Sequence, residues 1–364
     1  MTSAFMKRAI ELADAVVGST GPNPAVGCVI VRDGKVIAEG ATQPPGGPHA
    51  EALALESAGQ RARGATAYVT LEPCAHHGRT PPCADALIAA GVSAVHVALV
   101  DPDSNVAGKG IARLRDAGIE VRAGDGEAES ARVLEGYLKH RTQGVPFVII
   151  KFAATLDGKI AAASGDSRWV AGAEARAWAH ERLRTRVDAI MCGVNNVLLD
   201  DPELTSRPGR TMAARQPLRI VADSRGRTPL DARVLGPGGP SIIATTSASD
   251  AAWRGQVQER DAEALIVEQG EGGRVSLPAL MKELASRGVM TLLVEGGGVL
   301  HASFFAAGLA DKVHAIIAPK IAGGTAYPAV AGAGVERMGD AVTLRDVEIE
   351  RLGDDVLVTG YVDR

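Results

Sequence analysis

The chain has 364 residues, more than a typical single hydrophobic core holds, so two domains are expected. Apolar residues make up 46% and aromatic residues only 3%, which favours α/β layers built from Ala, Val, Leu and Ile. The formal net charge of −4 gives no general attraction for polyanions, and no Lys/Arg stripe is interleaved with aromatic residues, so nucleic acid is not expected as a partner.

Membrane and disulfide-stapled classes are also disfavoured. The N-terminal run MTSAFMKRAIELADAVV predicts an amphipathic helix and not a secretory signal, because Glu11 and Asp14 interrupt its apolar residues. No apolar run approaches the length of a bilayer span. Four cysteines are too few for a disulfide framework in a chain of this size. We therefore expect a cytoplasmic protein with no membrane partner.

The first part of the chain alternates between helices and strands. A helix over residues 4–17 leads to the strand 27–32, and Asp33-Gly34 predicts a tight hairpin to a second strand, KVIAEGA. A helix over 49–58 follows. The segments ATAYVTLE, CADALIAAG, VSAVHVALV and GKGIARLRDAG then predict strand, helix, strand and helix. This order favours a mostly parallel sheet covered on both faces.

The pattern changes between residues 125 and 145, where a polar helical segment precedes the strand PFVIIKFAA. A second alternating series of strands and helices then continues to the end of the chain. We place the boundary near Gly144, which predicts one domain over residues 1–144 and another over 145–364.

Two thiols with eight residues between them, Cys74 and Cys83, stand in TLEPCAHHGRTPPCADAL. In a cytosolic enzyme such thiols bind metal or do chemistry more often than they cross-link. Together with His49 they would give Zn²⁺ three ligands and leave a fourth position for water, and Glu51 would move the proton of that water. His-x-Glu followed by Pro-Cys-x-x-Cys is the signature of zinc nucleobase deaminases, and this chain widens its spacer.

Other interpretations of these residues stay open. The two thiols can be incidental core residues, and Glu51 can simply place a negative charge where a helix begins. His76 and His77, in the spacer AHHGRTPP, are rival metal ligands, although the polar groups of the spacer also suit a phosphorylated substrate. Cys28 and Cys192 stand in apolar strands and are expected in the core.

At these residues the chain resembles the RibD family of bifunctional riboflavin biosynthesis proteins. The similarity lies in PNPAVG at 22–27, HAE at 49–51, EPC at 72–74 and GRTPPC at 78–83. The resemblance implies an α/β fold with an N-terminal cytidine-deaminase-like α/β/α sandwich and a C-terminal dihydrofolate-reductase-like α/β domain. It also implies Zn²⁺ on His49, Cys74 and Cys83, catalysis by Glu51, and substrate contacts from Asn23, His76 and Arg79.

The second domain carries the similarity independently, in KFAATLDGKIA at 151–161, SGDSRWV at 164–170, VLLDDPELT at 197–205, RIVADS at 219–224 and LVEGGG at 293–298. In MTLLVEGGGVLHASFFAAGL a glycine turn joins a strand to a helix. Such a turn lets the backbone approach a ligand, and the start of the helix favours phosphate. The turn is not the Rossmann fingerprint, and many turns need glycine for purely local reasons.

The resemblance implies that NADPH lies against this turn. Arg225 and Arg227 would suit a 2′-phosphate and so favour NADPH over NADH, although exposed loop arginines are common. Trp169 can alternatively be a plain core residue. The implied cofactor contacts are Ala153, Trp169, Asn196, Asp200, Ser224, Gly297, Gly298, Val299, Leu300, His301, Ala302 and Ser303.

The resemblance assigns the substrate of the second domain to Ser167, Arg184, Leu204, Arg207 and Glu295. Arg184 and Arg207 would hold a ribose phosphate, because a guanidinium group matches that anion bidentately. Lys151 and Asp200 are the candidates for catalytic work near the reacting sugar. Ordinary alternatives are a solvated helix face or an exposed loop for the arginines, a surface cation for the lysine and turn chemistry for the aspartate.

Two stretches depart from the family pattern. After Val-Asp-Pro at 100–102, Asp103 stands where the family usually carries Asn, and Ser104-Asn105 follow, which would alter hydrogen bonds to the pyrimidine if this loop contacts it. Gly-Val-Asn-Asn-Val at 193–197 replaces a G-x-G-T-V run. Asn195 can still adopt left-handed backbone angles, and Asn196 keeps a hydrogen-bonding side chain.

The predicted function is a two-step enzyme of riboflavin synthesis that acts on a small phosphorylated pyrimidine. Zinc-dependent hydrolytic deamination of a diaminopyrimidinone ribosyl phosphate would precede NADPH-dependent reduction of its ribosyl group to ribityl, in a homo-oligomer. The alternatives are a reductase with an inactive deaminase half, a zinc deaminase acting on another nucleobase, and a non-catalytic zinc scaffold.

Overall fold

The computed structural model describes residues 2–75, 81–104 and 106–363. Its contacts divide the chain into two compact units, Met1–Gly144 and Val145–Arg364, and each unit is built on its own sheet. Among the described residues, no helix combines the length and apolar character that a membrane crossing requires.

The sheet of the first unit is mixed. Within the described residues its strand order is β2–β1–β3–β4–β5, with β1 antiparallel to both of its neighbours and β3, β4 and β5 parallel to one another. The expectation of a mostly parallel sheet is therefore wrong here, because the two-residue turn at Asp33-Gly34 makes β1 and β2 antiparallel. The strands are β1 (Gly27–Arg32), β2 (Lys35–Ala41), β3 (Thr66–Leu71), β4 (Ala94–Leu99) and β5 (Glu120–Ala123).

Helices cover this sheet and place two of its functional segments. Ser3 caps the first helix by accepting the Met6 N–H at 3.3 Å, and Met6 packs with Val29 in the core. The helix after the QPPGGP loop begins at Ala50, so His49 is its N-cap and not its first residue. The helices are α1 (Ala4–Ala15), α2 (Ala50–Ala58), α3 (Cys83–Ala90), α4 (Lys109–Asp116), α5 (Glu127–Val133) and α6 (Glu135–Gln143).

The second unit is built on a larger sheet with the order β11–β10–β9–β8–β12–β6–β13–β16–β15. The strands from β11 to β13 run parallel, whereas β16 and β15 are antiparallel. The strands are β6 (Phe147–Thr155), β7 (Lys159–Ala161), β8 (Ala189–Gly193), β9 (Leu218–Ala222), β10 (Ser241–Thr245), β11 (Ala262–Ile266), β12 (Thr291–Glu295), β13 (Lys312–Ala318), β14 (Tyr327–Pro328), β15 (Leu344–Leu352) and β16 (Asp355–Val362).

Helices lie on both faces of this sheet, so each face has a core. Along β6, Val148 and Ile150 belong to one buried cluster and Phe147 and Ile149 to another, as the two-residue period of a strand requires. The carboxyl ends of β6, β8, β9 and β12 meet at one edge, where ligands bind in open parallel sheets. The helices are α7 (Ala173–Trp178), α8 (Val194–Asp200), α9 (Ala251–Gln258), α10 (Leu277–Ser286) and α11 (Gly298–Ala306).

Candidate active sites

The first unit brings His49, Cys74 and Cys83 together. The ligand atoms of the three side chains all lie within 4.8 Å of one another. His49 Nδ1 is 3.3 Å from Cys83 Sγ and 3.8 Å from Cys74 Sγ. Zinc bonds of about 2.3 Å to sulfur and about 2.1 Å to nitrogen would put tetrahedral ligand atoms roughly 3.6 to 3.8 Å apart. The three atoms therefore fit one Zn²⁺ ion.

Each metal ligand lies at the end of a helix or close to the end of a strand. His49 precedes α2, Cys83 is the first residue of α3, and Cys74 follows β3 by three residues. The Cys83 N–H donates to Cys74 Sγ at 3.4 Å, so the positive end of α3 favours a thiolate. Hydrogen bonds from the Cys83 thiol and from His49 lower the pKa of Cys74 to about 4. A deprotonated sulfur is the form that binds zinc.

Glu51 lies in the first turn of α2, beside this triad, and its side chain is only 4% exposed. Burial raises the pKa of Glu51 to about 7, and the charge of Cys74 acts in the same direction. A carboxylate that only complements a helix dipole would remain in solvent. Burial next to the three ligands instead suits a group that gains and loses a proton near neutral pH.

Glu72 organises the segment that carries Cys74, a role that was not predicted from the sequence. Its buried carboxylate accepts four backbone N–H groups, from Asp101, Gly108, Gly110 and Ile111, at 3.2, 2.9, 2.9 and 3.1 Å. A Cβ on Gly110 would lie 1.9 Å from the Pro73 carbonyl oxygen, so only glycine allows this close approach. The Glu-Pro-Cys motif could have predicted this role of Glu72. A carboxylate so close to a metal ligand is costly to bury unless backbone N–H groups compensate its charge.

The remaining predictions for the first unit concern loops. Asn23 lies in the turn before β1, where its N–H donates to the Thr20 carbonyl oxygen at 2.9 Å. His76, His77 and Arg79 lie outside the described residues, as does Asn105. Asp103 is the residue that departs from the family pattern. Its Oδ2 atom lies 3.4 Å from Arg141 Nε, so the added negative charge is paired with a positive one.

In the second unit a cavity of about 1010 Å³ opens at the carboxyl edge of the sheet. It brings together eighteen of the predicted residues from distant parts of the chain. Arg207 and Ala302 are not among the lining residues. The predicted residues that line it are Lys151, Ala153, Ser167, Trp169, Arg184, Asn196, Asp200, Leu204, Ser224, Arg225, Arg227, Glu295, Gly297, Gly298, Val299, Leu300, His301 and Ser303.

A charged cluster forms one end of this cavity. Glu295 Oε1 is 3.9 Å from Lys151 Nζ and 3.3 Å from Arg184 Nε, and its second oxygen contacts Arg184 Nη2. Burial alone would raise the pKa of Glu295, but the charges of Arg184 and Lys151 outweigh it and hold this pKa at about 2. Burial lowers the pKa of Lys151 below its usual range. The amine at this end is therefore a more acidic proton donor than an exposed lysine.

Asp200 organises the polar groups beside this cluster. Its Oδ1 atom accepts the Ser167 hydroxyl at 2.8 Å, and its Oδ2 atom accepts the Asn196 amide at 3.4 Å. Asn196 in turn packs against the glycine turn, because a Cβ on Gly296 would lie 2.5 Å from Asn196 Nδ2. The φ of +89° at Gly296 favours glycine there in any case, whether or not a ligand approaches.

Trp169 is 63% exposed, so the core interpretation of this residue is wrong. The Arg176 guanidinium carbon lies 4.4 Å from the centre of its ring, and Arg176 also donates to the Ala171 carbonyl oxygen at 2.5 Å. Lys320 Nζ donates to the Trp169 carbonyl oxygen at 2.5 Å. Neither cation was predicted from the sequence, since only the tertiary fold brings them to the loop.

Arg207 lies beside the cavity and makes other contacts. Its Nη1 group contacts Glu203 Oε2, and its backbone N–H donates to His180 Nδ1 at 3.2 Å. Burial, together with the charges of Arg184 and Arg207, lowers the pKa of His180 to about 4. A neutral His180 that accepts at Nδ1 carries its proton on Nε2, where it is a hydrogen-bond donor.

Sequence comparisons match both halves of the chain. A family model of the RibD C-terminal domain matches residues 146–358, and one of the cytidine and deoxycytidylate deaminase zinc-binding region matches residues 1–99. The RibD protein of Synechocystis is 41% identical over 362 residues, which cover 98% of this chain and 95% of that protein. The Escherichia coli RibD protein is also 41% identical, with 97% of each chain covered.

Solved structures agree with these relatives over the whole length. RibD of Acinetobacter baumannii superposes with a TM-score of 0.89 at 38% identity, covering 99% of this chain and 98% of that one. The Thermotoga maritima protein described as a diaminohydroxyphosphoribosylaminopyrimidine deaminase/5-amino-6-(5-phosphoribosylamino)uracil reductase gives 0.84 at 35% identity, with 99% and 98% covered.

The fold, the metal triad and these matches define the class: an enzyme that joins a zinc-binding deaminase domain to a reductase domain. The chain belongs to the RibD family of riboflavin biosynthesis proteins. It is thus a bifunctional deaminase and reductase, as its sequence predicted. The predicted arrangement of a cytidine-deaminase-like domain before a reductase domain is confirmed as well.

Proposed function

We propose that the first unit deaminates diaminohydroxyphosphoribosylaminopyrimidine and that the second reduces 5-amino-6-(5-phosphoribosylamino)uracil with NADPH. The names of these two reactions belong to the similar Thermotoga maritima protein. For this chain the observation that carries the proposal is the convergence of His49, Cys74 and Cys83 on one point, with buried Glu51 beside them.

In the deaminase half, Zn²⁺ when bound supplies Lewis-acid chemistry that makes water nucleophilic near neutral pH. His49 Nδ1 and the sulfurs of Cys74 and Cys83 would hold the ion and leave one vertex open. The Glu51 carboxylate would take a proton from the attacking water and give it to the pyrimidine ring nitrogen. It would then move the remaining hydroxyl proton of the adduct to the amine, which leaves as ammonia while the carbonyl forms. Burial raises the pKa of Glu51 above that of an exposed glutamate, which suits a carboxyl that both accepts and donates a proton.

In the reductase half, NADPH when bound supplies a hydride for C1′ of the ring-opened ribosyl group. The cavity suits an extended dinucleotide, because the N-terminus of α11, which follows the glycine turn, can receive a diphosphate. We assign proton donation to the substrate oxygen to Lys151, whose pKa burial lowers. Asp200 would orient Ser167, which lies 2.8 Å away, towards the sugar.

Arg184 and Arg207 are proposed to hold the substrate phosphate. Arg184 is anchored on Glu295 and on the Thr205 carbonyl oxygen, to which its Nη1 donates at 2.8 Å. Arg207 contacts Glu203 through Nη1, which leaves other donors of its guanidinium group for the anion. The charges of both arginines lower the pKa of His180. The neutral His180 side chain would add a hydrogen-bond donor to the phosphate.

A coupled assay tests the two-step proposal. Purified protein, given the diaminopyrimidine substrate, should release ammonia first and then consume NADPH in an amount that depends on that release. Glu51→Gln should keep one zinc per chain but lower ammonia release by at least about a thousandfold, because no group remains to move the proton.

The same variant should still oxidise NADPH when it is given the deaminated intermediate, and Glu56→Gln, at an exposed position of the same helix, is the matched control. Retained ammonia release in Glu51→Gln would remove Glu51 from its assigned role. Wild-type protein that binds zinc yet releases no ammonia would favour a reductase with an inactive deaminase half. The expected cytoplasmic location and homo-oligomeric state stay predictions, and sedimentation tests the second.

A further inference from the structure

One irregular segment of the second unit carries two of the predicted contact residues to the wall of the cavity. Residues 167–172, which we call the rim segment, lie between β7 and α7 and include Ser167 and Trp169. The Ser167 hydroxyl donates to Asp200, whereas the Trp169 side chain is 63% exposed. Because the segment belongs to no helix or strand, its shape depends on contacts with other parts of the chain.

Two cationic side chains hold three consecutive carbonyl groups of the rim segment. Lys320 Nζ donates to the carbonyl oxygens of Trp169 at 2.5 Å and of Val170 at 3.0 Å. Arg176 Nη1 donates to the next carbonyl oxygen, that of Ala171, at 2.5 Å, and its guanidinium carbon lies 4.4 Å from the centre of the Trp169 ring. Charged donors form stronger hydrogen bonds than neutral ones. The two cations therefore hold both the backbone and the tryptophan ring of the segment.

The backbone around Lys320 is itself held by the turn that follows β6. The Lys320 carbonyl oxygen accepts the Leu156 N–H at 2.8 Å. The Asp157 carboxylate accepts the N–H groups of Ala322 and Gly323, at 3.0 and 2.7 Å. These bonds fix the loop that presents the ammonium group. Lys320 is thus a tether between the turn after β6 and the rim segment.

Lys320 has no place in the cavity itself. Among the described residues, those that line the cavity include Arg176 but not Lys320. The lysine is also exposed, and exposed polar contacts contribute little to the free energy of unfolding. Loss of its ammonium group should therefore change the geometry of the rim segment and not the stability of the fold.

We infer that Lys320 is a positioning residue of the reductase half, which holds Ser167 and Trp169 on the cavity wall as one unit. The inference rests on the proposed reductase function, in which Ser167 contacts the substrate and Trp169 the cofactor. One lysine outside the cavity then controls the contacts to both ligands. A residue that touched a single ligand would alter the KM of that ligand alone.

Hydrogen exchange of the unliganded full-length protein tests the tether without any turnover. Lys320→Met keeps most of the side-chain length and removes the donor. The amides of residues 162–172, among which the Val170 and Gly172 N–H groups are bonded, should exchange at least about fivefold faster. The amides of β8 should exchange as in the wild type. The unfolding temperature should stay within about 2 °C, because only an exposed contact is lost.

Steady-state kinetics with the deaminated pyrimidine test the consequence for the reaction. Lys320→Met should raise KM for NADPH and KM for the pyrimidine together, each about fivefold to tenfold, because small misplacements of binding groups are costly. Ser167→Ala should raise KM for the pyrimidine alone. Lys320→Arg keeps a cationic donor and should return both KM values to within about threefold of wild type. Lys282→Met, at an exposed lysine of α10, is the matched control and should change neither constant.

Unchanged KM values in Lys320→Met would overturn the inference even if exchange became faster, because the lysine would then only stabilise the loop. Higher KM values without faster exchange would also overturn it and would make Lys320 a direct contact of a ligand. A rise in one KM alone, or no rescue by Lys320→Arg, would overturn it as well. Failure of the proposed function is distinguishable, since the wild type itself would then not oxidise NADPH, and calorimetric titration with NADPH would replace the KM comparison.

Discussion

The metal triad of the first unit and the cavity of the second are assembled in opposite ways. Three ligand atoms within 4.8 Å define the first site, and two of them stand where helices begin. The second site draws on the ends of four strands, with residues from 151 to 331 around about 1010 Å³. A metal site loses its ion when one ligand goes, whereas a cavity distributes binding over many contacts. Single substitutions should therefore act abruptly in one unit and gradually in the other.

The two sites also balance charge differently. The thiolate of Cys74 faces the N-terminus of α3 and is left for a cation to neutralise. In the cavity, Glu295 already compensates Lys151 and Arg184, whose charges hold the pKa of Glu295 at about 2. The reacting end of the cavity is thus already compensated, whereas the thiolate of the first site is not. This difference follows from which neighbours each buried charge has, and not from the residue types alone.

The largest effect is expected at the triad. Cys74→Ala should abolish zinc binding and lower ammonia release by about a thousandfold or more, because two protein ligands hold Zn²⁺ poorly. NADPH oxidation on supplied deaminated intermediate should stay within twofold of wild type. Metal content by mass spectrometry and the two rates check this outcome. Cys28→Ala, at a buried cysteine outside the triad, is the matched control and should keep its zinc. A Cys74→Ala protein with full zinc would contradict the assigned ligand set.

A smaller effect is expected from the group that supports the triad. Glu72→Gln replaces one carboxylate oxygen, the acceptor of two backbone N–H groups, by an amide that faces those donors. We expect a loss of about 2–4 kcal/mol in the free energy of unfolding. Zinc affinity should fall about tenfold to a hundredfold, in the range for residues that orient ligands. Chemical denaturation and competition with a zinc chelator measure the two quantities.

Glu56→Gln changes the same functional group on an exposed face and should leave stability and zinc affinity unaltered. If Glu72→Gln behaved like Glu56→Gln, the four N–H groups would not depend on this carboxylate. If it lowered stability but not zinc affinity, Glu72 would support α4 without positioning Cys74.

Much of the fold was predictable because local patterns determine it. Alternating apolar segments predicted the series of strands and helices, and Asp33-Gly34 predicted the β1–β2 hairpin that the structure contains. The relative directions of the strands in the first sheet were not predictable from the same alternation. Strands β1 and β3 are separated by β2 and α2 in the chain, and they pair antiparallel. Strand order is decided by tertiary packing, which the period of a pattern does not encode.

The metal triad was predictable from the sequence for a chemical reason. Thiols and imidazoles at zinc-ligand spacings are rare in a chain with four cysteines. Glu72, Arg176 and Lys320 were missed because ordinary charged residues gain a role only through their neighbours. Lys320, for example, reaches the Trp169 carbonyl oxygen across 151 positions of sequence. The resemblance supplied most cavity residues, but it could not show that Asn195 binds Arg227.

The smallest effect is expected from Arg207, which distinguishes a phosphate ligand from a structural ion pair. Arg207 and Arg182 each pair with a glutamate, Glu203 and Glu350, and neither lines the cavity. Arg207→Ala should raise KM for the phosphorylated pyrimidine about tenfold while KM for NADPH stays within twofold, because a charge-assisted contact to phosphate is lost. Arg182→Ala, which removes only an exposed ion pair, should change neither constant. If Arg207→Ala raised both KM values equally, Arg207 would only stabilise the loop that carries Glu203. Arg184 would then be the one arginine proposed to bind the substrate phosphate.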